Sequence, residues 1–289
     1  MRVAIIGASG LVGGNCLQVF REKGWSCLGT HFGFATEHTV YYNTLEPDHA
    51  QNPDWDHFAP EVIVNCGALT HVDHCELHPE ESFERTVQSN RNILELARRY
   101  QARVVYISTD YVFDGRNGPY TEDAPQNPLS VYGRHKQTAE RETLESGLHT
   151  LVLRITNVYG DEIRGKNFVA RLLNQLSEGK QPELVLPADQ YATPVNAADL
   201  AQALYLLLRD GKTGVYHIAS TDWLNRVQLA LKVLSFFPDS PYTLKAMRTE
   251  DMQQPAKRPL FGGLIAHKFL SEYPEFRFSG VDMYLLSKI

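Results

Sequence analysis

Tyr132 and Lys136 stand four residues apart in Tyr132-Gly133-Arg134-His135-Lys136, at the start of a helically patterned stretch, so both side chains project from one helix face. A free phenol titrates at about 10 and is a poor proton donor near neutrality, but a neighbouring ammonium stabilises its phenolate and turns the pair into an acid-base unit. Upstream, Ser108-Thr109-Asp110 ends the apolar run Val104 to Ile107. That puts the Thr109 hydroxyl at the carboxyl end of a buried strand, where it can donate to a substrate carbonyl. Read alone, Tyr-x-x-x-Lys is also what an exposed aromatic and a solvated lysine look like. What argues for catalysis is the company it keeps.

That company begins at the N-terminus. Gly7-Ala8-Ser9-Gly10-Leu11-Val12-Gly13 follows the apolar run Arg2 to Ile6 and opens a helix. Gly7 permits the tight turn, Gly10 lets main chain approach a pyrophosphate, and Gly13 allows close helix-strand packing with the helix N-terminus facing the phosphates. A second run ends in Gly29-Thr30-His31-Phe32, with no carboxylate to hold the ribose hydroxyls of NAD. His31 there adds hydrogen bonding or positive charge, or is simply a surface residue, and the balance favours NADP with NAD possible. Asn65-Cys66-Gly67-Ala68 closes another run with side chains small enough for a flat ligand to lie against.

These loops must be held by a sheet. Arg2 to Ile6, Ser26 to His31, Glu61 to Cys66, Arg103 to Ser108 and Thr150 to Ile155 read as strands, several of them continuously apolar and therefore covered on both faces. Pro79 to Tyr100 and Val131 to Ser146 read as helices between them. The alternation predicts an α/β fold, a doubly wound parallel Rossmann sheet. Residues 1–160 would form the dinucleotide-binding domain, with parts of 188–220 returning to it. Residues 161–289 would be mainly a smaller α/β substrate lobe, with a helix Phe168 to Glu178, a short run Glu183 to Leu186, a helix Asn196 to Arg209, a strand Val215 to Ile218 and a helix Leu224 to Phe237.

Composition narrows the function classes. The 289 residues carry 28 Lys and Arg against 34 Asp and Glu, a net charge of −6 that excludes a strongly basic nucleic-acid binder. No apolar run approaches the ~18 residues of a membrane span, and no signal-peptide core follows the initiating Met. Four scattered cysteines without a Cys-x-x-Cys pair read as reduced thiols, and the expected compartment is the cytoplasm.

The glycine loop, Ala68-Leu69-Thr70-His71-Val72-Asp73, the block Ile107 to Gly115 and Pro128 to Lys136 resemble the extended short-chain dehydrogenase/reductase superfamily, and within it the dTDP-4-dehydrorhamnose reductase family. Gly165-Lys166-Asn167-Phe168, Asp189-Gln190, Thr193-Pro194 and Arg258-Pro259 extend the similarity over nearly the whole chain. The resemblance implies reduction of the C4 ketone of a nucleotide-activated 4-keto-6-deoxyhexose by NADPH, in a monomer or homodimer. Thr109 would polarise the carbonyl, Tyr132 would donate the proton, and Lys136 would lower the Tyr132 pKa and hold the nicotinamide ribose. Asn43 would stand on the adenine side. Thr70, Val72, Asp73, Asp110, Tyr111, Phe113, Asn157, Asn167, Phe168 and Arg258 would face the substrate. Three positions depart from the family: Asn157 replaces a Trp, as in nucleotide-sugar epimerases, Gln88 replaces an Asn on the fourth helix, and Asn43 replaces an adenine-side Asp. An epimerase or dehydratase, and a noncatalytic NADP-binding regulatory subunit resembling the beta subunit of methionine adenosyltransferase, are the alternatives.

His71-x-Asp73-His74-Cys75 holds four metal-binding residue types, but adjacent residues converge poorly on one ion, so the expectation is a cleft wall and no metal. Trp223 with Arg226 reads equally as a nucleotide contact and as an ordinary helix start.

Overall fold

The computed structural model describes residues 1–288. Its strands are β1 (Arg2–Ile6), β2 (Ser26–His31), β3 (Thr39–Tyr41), β4 (Val62–Asn65), β5 (Arg103–Thr109), β6 (Thr150–Ile155), β7 (Glu183–Pro187), β8 (Tyr191–Ala192), β9 (Gly214–His217), β10 (Leu224–Asn225) and β11 (Thr243–Met247). The helices are α1 (Leu11–Glu22), α2 (Trp55–Phe58), α3 (Val72–Leu77), α4 (Pro79–Phe83), α5 (Ser89–Tyr100), α6 (Val131–Leu144), α7 (Phe168–Ser177), α8 (Ala197–Arg209), α9 (Arg226–Leu234), α10 (His267–Glu272) and α11 (Val281–Leu286). Seven strands pair in parallel in the order β3-β2-β1-β4-β5-β6-β9. The winding reverses between β1 and β4, and a ligand crevice opens beyond the carboxyl ends of strands at such a reversal.

Both faces of the sheet are covered, which is why β4 and most of β5 are apolar without alternation. On one face α1 lies against α8, whose Leu200, Leu204, Leu207 and Leu208 are spaced as a helical stripe and are fully buried. Truncating one of these leucines to Ala would cost about 2–5 kcal/mol. The close seating of α1 on β1 depends on Gly13: a Cβ there would lie 2.5 Å from the Gly7 carbonyl oxygen. On the other face α5 buries Ile93, Leu94 and Ala97 against Ala4, Ile63 and Val104.

A separate apolar core joins α7, α9 and α11 through Val169, Leu172, Leu229, Val233, Val281 and Leu285. Beside it run two small sheets, β11 parallel to β7 and β10 antiparallel to β8. Residues 266–278, grouped with the lobe in the sequence reading, instead pack Phe269, Phe276 and Phe278 onto the core of the large sheet. The single helix expected over Pro79 to Tyr100 is interrupted by a π-helical turn at Glu84–Gln88. The helix expected from Leu224 begins at Arg226, because Leu224 and Asn225 pair with β8 and Asn225 then caps α9.

Candidate active site

A groove of about 800 Å³ opens at the sheet's reversal point. Gly7, Ser9, Gly10, Leu11, Val12 and Gly13 form one side, Cys66, Gly67 and Ala68 another, and His31 and Asn43 lie toward its far end. Gly7 adopts φ +79°, a left-handed turn that L side chains resist, and its Cβ position is closed by the main chain of Cys66 and Gly67. Gly10 caps α1 without a side chain, and the first turn of that 12-residue helix carries no acidic residue. Its N–H groups are therefore left for an anion, so the cradle fits a dinucleotide pyrophosphate.

The candidate catalytic residues Thr109, Tyr132 and Lys136 lie where β5 meets α6. Ser130 caps α6, its Oγ accepting from Gly133 N at 3.2 Å. Gly133 is required there, because a Cβ would stand 2.3 Å from the Tyr111 carbonyl oxygen. The contact seats the helix on the turn Asp110–Val112 and brings the Tyr132 ring edge-on to Tyr111, with centroids 5.5 Å apart. Burial pushes the Tyr132 phenol up, and the Thr109 hydroxyl is the neighbour that favours its phenolate. Lys136 donates its ammonium to the Ile107 carbonyl at 2.6 Å and stands over the Tyr106 ring. Burial lowers Lys136 to about 7, against the pull of the Glu140 carboxylate. Thr109 neighbours the Tyr132 hydroxyl, whereas the Lys136 ammonium is turned to the Ile107 carbonyl; all three are almost fully buried, and none of them lines the groove.

Sequence reasoning missed the group beneath them. Glu140 accepts from Ser108 Oγ at 2.6 Å, from Gln126 and, in a buried ion pair at 2.6 Å, from Arg154. Arg154 also donates to the Glu122 carbonyl. This network ties α6 to β5 and β6 beneath Tyr132 and Lys136. The available signal was the spacing, since Glu140 follows Lys136 by one further helical turn.

A second cavity, of about 620 Å³, lies between the sheet and the lobe. Thr70, Val72, Asp73, Tyr111, Asn157, Phe168 and Arg258 line it, as does Arg226 from the start of α9. Three expected substrate contacts lie elsewhere. Phe113 is fully buried, stacked on Tyr120 at 4.3 Å, because its strand-end loop folds inward as core. Asp110 is spent on structure: Oδ2 accepts from Thr156 Oγ1 at 2.7 Å and from Gly263 N, pinning the 258–264 segment to the sheet. Asn167 caps α7, bonds the Gly160 carbonyl and faces the dinucleotide groove.

The cavity's charge is one-sided. Lys166, Arg171, Arg226 and Arg258 line it with Asp73 as the single carboxylate. Arg258 Nη2 donates to Asp73 Oδ2 at 2.6 Å, while its Nη1 is buried without any partner among the described residues. Arg226 donates Nη2 to Asn157 Oδ1 at 2.7 Å, and burial lowers its pKa. Asn157 holds this position with φ +41°, in the left-handed region that Asn tolerates. A buried guanidinium with a free N–H is costly unless an anion completes it. Lys166 stood only within a family motif and Arg171, on α7, was not singled out, because the packing of α7 and not local spacing turns them to the cavity. Gln88 bonds Asn92 along its own helix, and the buried amide that supports Asn65 comes instead from Asn90, at 3.0 Å.

The two cavities share Thr70 and Lys166. None of the described residues form a cluster suited to a metal ion, none of the described helices is long and apolar enough to cross a membrane, and all four cysteines are free.

Comparison with known proteins agrees with this arrangement. The family described as RmlD substrate binding domain matches residues 1–277. Methionine adenosyltransferase 2 subunit beta of Bos taurus is 30% identical over 82% of this chain and 72% of its own. Spore coat polysaccharide biosynthesis protein SpsK of Bacillus subtilis is 27% identical over 94% of this chain and 91% of its own. Among solved structures, a hypothetical dTDP-4-dehydrorhamnose reductase from Sulfolobus tokodaii superposes with a TM-score of 0.81 at 28% identity, covering 98% of this chain and 99% of that one. The dTDP-4-dehydrorhamnose reductase of Bacillus anthracis, in complex with NADP, has the same fold, with a TM-score of 0.84 at 24% identity over 99% and 97% of the two chains. The chain belongs to the RmlD substrate binding domain family.

Proposed function

We propose that the protein is an NADPH-dependent ketoreductase that reduces the C4 ketone of a nucleotide-diphosphate 4-keto-6-deoxyhexose. The observation that carries this reading is the cationic cavity with the unpartnered Arg258 Nη1, sharing Thr70 and Lys166 with the glycine-loop groove. A diphosphate is the substrate group that matches several cations gathered around one carboxylate. At the lobe end, Leu186, Pro187, Gln190 and Gln254 offer an apolar wall and amides of the kind that hold a base.

When bound, a reduced nicotinamide supplies the hydride. The chain's own residues do the rest. Thr109 donates to the carbonyl oxygen and favours charge developing there. Tyr132 holds its proton firmly because it is buried, and gives it up to the new alkoxide as general acid. The Lys136 ammonium lowers the cost of the phenolate left behind, and on cofactor binding it would leave the Ile107 carbonyl for the nicotinamide ribose. The Ser108-Glu140-Arg154 network keeps the helix face carrying both residues fixed on β5. Leu69, Val72, Cys75 and Tyr111 pack around Tyr132 and keep bulk water off the reacting oxygen.

Two other readings have specific support. The similarity to methionine adenosyltransferase 2 subunit beta favours a regulatory role, which the intact Thr109, Tyr132 and Lys136 oppose. Asn157 favours an epimerase or dehydratase with retained cofactor. Incubating the protein with NADPH and a panel of dTDP- and GDP-linked 4-keto-6-deoxyhexoses, then identifying products, tests the proposal. A nucleotide-linked 6-deoxyhexose formed with equal NADPH consumed supports it; a stoichiometric synthetase partner with every ketosugar unchanged favours regulation.

A further inference from the structure

The adenosine end of the groove carries positive charge to which the sequence alone assigned no role. β2 runs out into His31-Phe32-Gly33-Phe34, where a sheet wound this way places the ribose 2′ position of a dinucleotide. A carboxylate there selects a free 2′-hydroxyl, whereas an arginine accommodates a 2′-phosphate. This segment has no carboxylate. Two arginines from distant parts of the chain reach its rim instead. Arg85, in the π-helical turn, places its guanidinium 5.5 Å from the centre of the Phe32 ring. Arg164, in the loop after β6, lies 5.3 Å from the centre of the Phe34 ring. Both line the groove that His31 lines. A guanidinium held over an aromatic ring keeps edge N–H groups for an oxyanion.

We infer that Arg85 and Arg164, each held on a phenylalanine of the β2 loop, form with His31 a clamp for the 2′-phosphate of NADP(H). The inference rests on the dinucleotide reading of the groove and deepens it. His31 is oriented for the part, because Nδ1 bonds Thr39 Oγ1 at 2.9 Å and leaves Nε2 for a ligand. Arg85 spends its Nε on Glu81 at 2.8 Å, which fixes the side chain and leaves its terminal nitrogens. The groove's carboxylates are Glu46 and Glu162. Glu162 is engaged by the Asn167 main chain and side chain. Glu46 stands in the turn after β3, its N–H bonded to the Asn43 carbonyl.

The test is calorimetric titration of the full-length protein with adenosine 2′,5′-bisphosphate and with 5′-AMP, which differ only in the 2′-phosphate. The wild type should bind the bisphosphate at least tenfold more tightly. Arg85→Ala and Arg164→Ala should each remove part of that preference and the double variant all of it, with 5′-AMP affinity unchanged. Arg85→Lys should restore part of the loss. Equal weakening of both nucleotides by the alanine variants would overturn the clamp in favour of stacking on adenine, as would a wild type that binds the two alike. Failure of the wild type to bind either would overturn the dinucleotide reading with it. No ketone enters these titrations, so a failed reductase assignment would leave their result standing.

Discussion

The glycine-loop groove and the cation-lined cavity meet at Thr70 and Lys166, yet they are made of different parts of the amino acid. At the glycine-loop end of the groove the contact surface is main chain, exposed because Gly7, Gly10 and Gly13 have no side chains and because no side chain caps α1. At the cavity it is the ends of long side chains, Lys166, Arg171, Arg226 and Arg258, reaching in from three separate segments. A backbone-made site is fixed once the strand and helix form, and it accepts any ligand with the right phosphates. A side-chain site can be changed one residue at a time, and that is where relatives sharing one sheet can diverge in substrate.

If the division holds, substitutions on the two sides and at their junction should fail differently. The largest effect belongs to Tyr132, which lines neither cavity but packs against Leu69 of the groove and Tyr111 of the cavity. Tyr132→Phe removes the proton donor and keeps the ring, so reduction should fall by about 10²–10⁴ while cofactor affinity is unchanged. A wild-type single-turnover rate would exclude Tyr132 as the essential acid. Next comes the network behind it: Glu140→Ala leaves Arg154 buried without its partner and should cost about 3–5 kcal/mol of stability in denaturant unfolding. A loss under 1 kcal/mol would mean that the pair is not buried as described.

On the cavity side, Arg258→Ala should raise KM for the nucleotide sugar by at least tenfold, about 1.4 kcal/mol, and leave NADPH affinity alone. On the groove side, Gly10→Val should do the reverse, weakening NADPH by at least tenfold with little change in nucleotide-sugar binding. Parallel losses in both variants would erase the comparison. The smallest effect is in pH. Lys136 titrates at about 7, so its ammonium is present below that and lost as pH rises through it. Single-turnover reduction should therefore decline above about pH 7, whereas Lys136→Met should be slow and flat. A wild-type profile flat to pH 9 would remove the lysine's charge from the mechanism.

The same division explains what was legible in the residues. Gly7 to Gly13, Thr109, Tyr132 and Lys136 could be placed because local spacing alone puts them at strand ends and on a helix face. Phe113 and Asp110 were misread because their block is contiguous in sequence with Thr109, while the chain folds them inward as core and as a tie to Gly263. Arg226 was seen but not assigned, and Arg171 not seen, since only the packing of α7 and α9 turns them toward one cavity. The strand β11 escaped notice because it is short and mostly exposed, with only Leu244 packed on the lobe core.

The central claim is net hydride transfer to a nucleotide-linked ketone, and isotope tracing tests it most directly. NADPH carrying deuterium in its transferable position, mixed with the protein and a nucleotide-linked 4-keto-6-deoxyhexose, should yield a nucleotide-linked 6-deoxyhexose deuterated at the former carbonyl carbon, with one NADP⁺ formed per sugar. Deuterium retained in the cofactor, with the sugar epimerised or untouched, would contradict it.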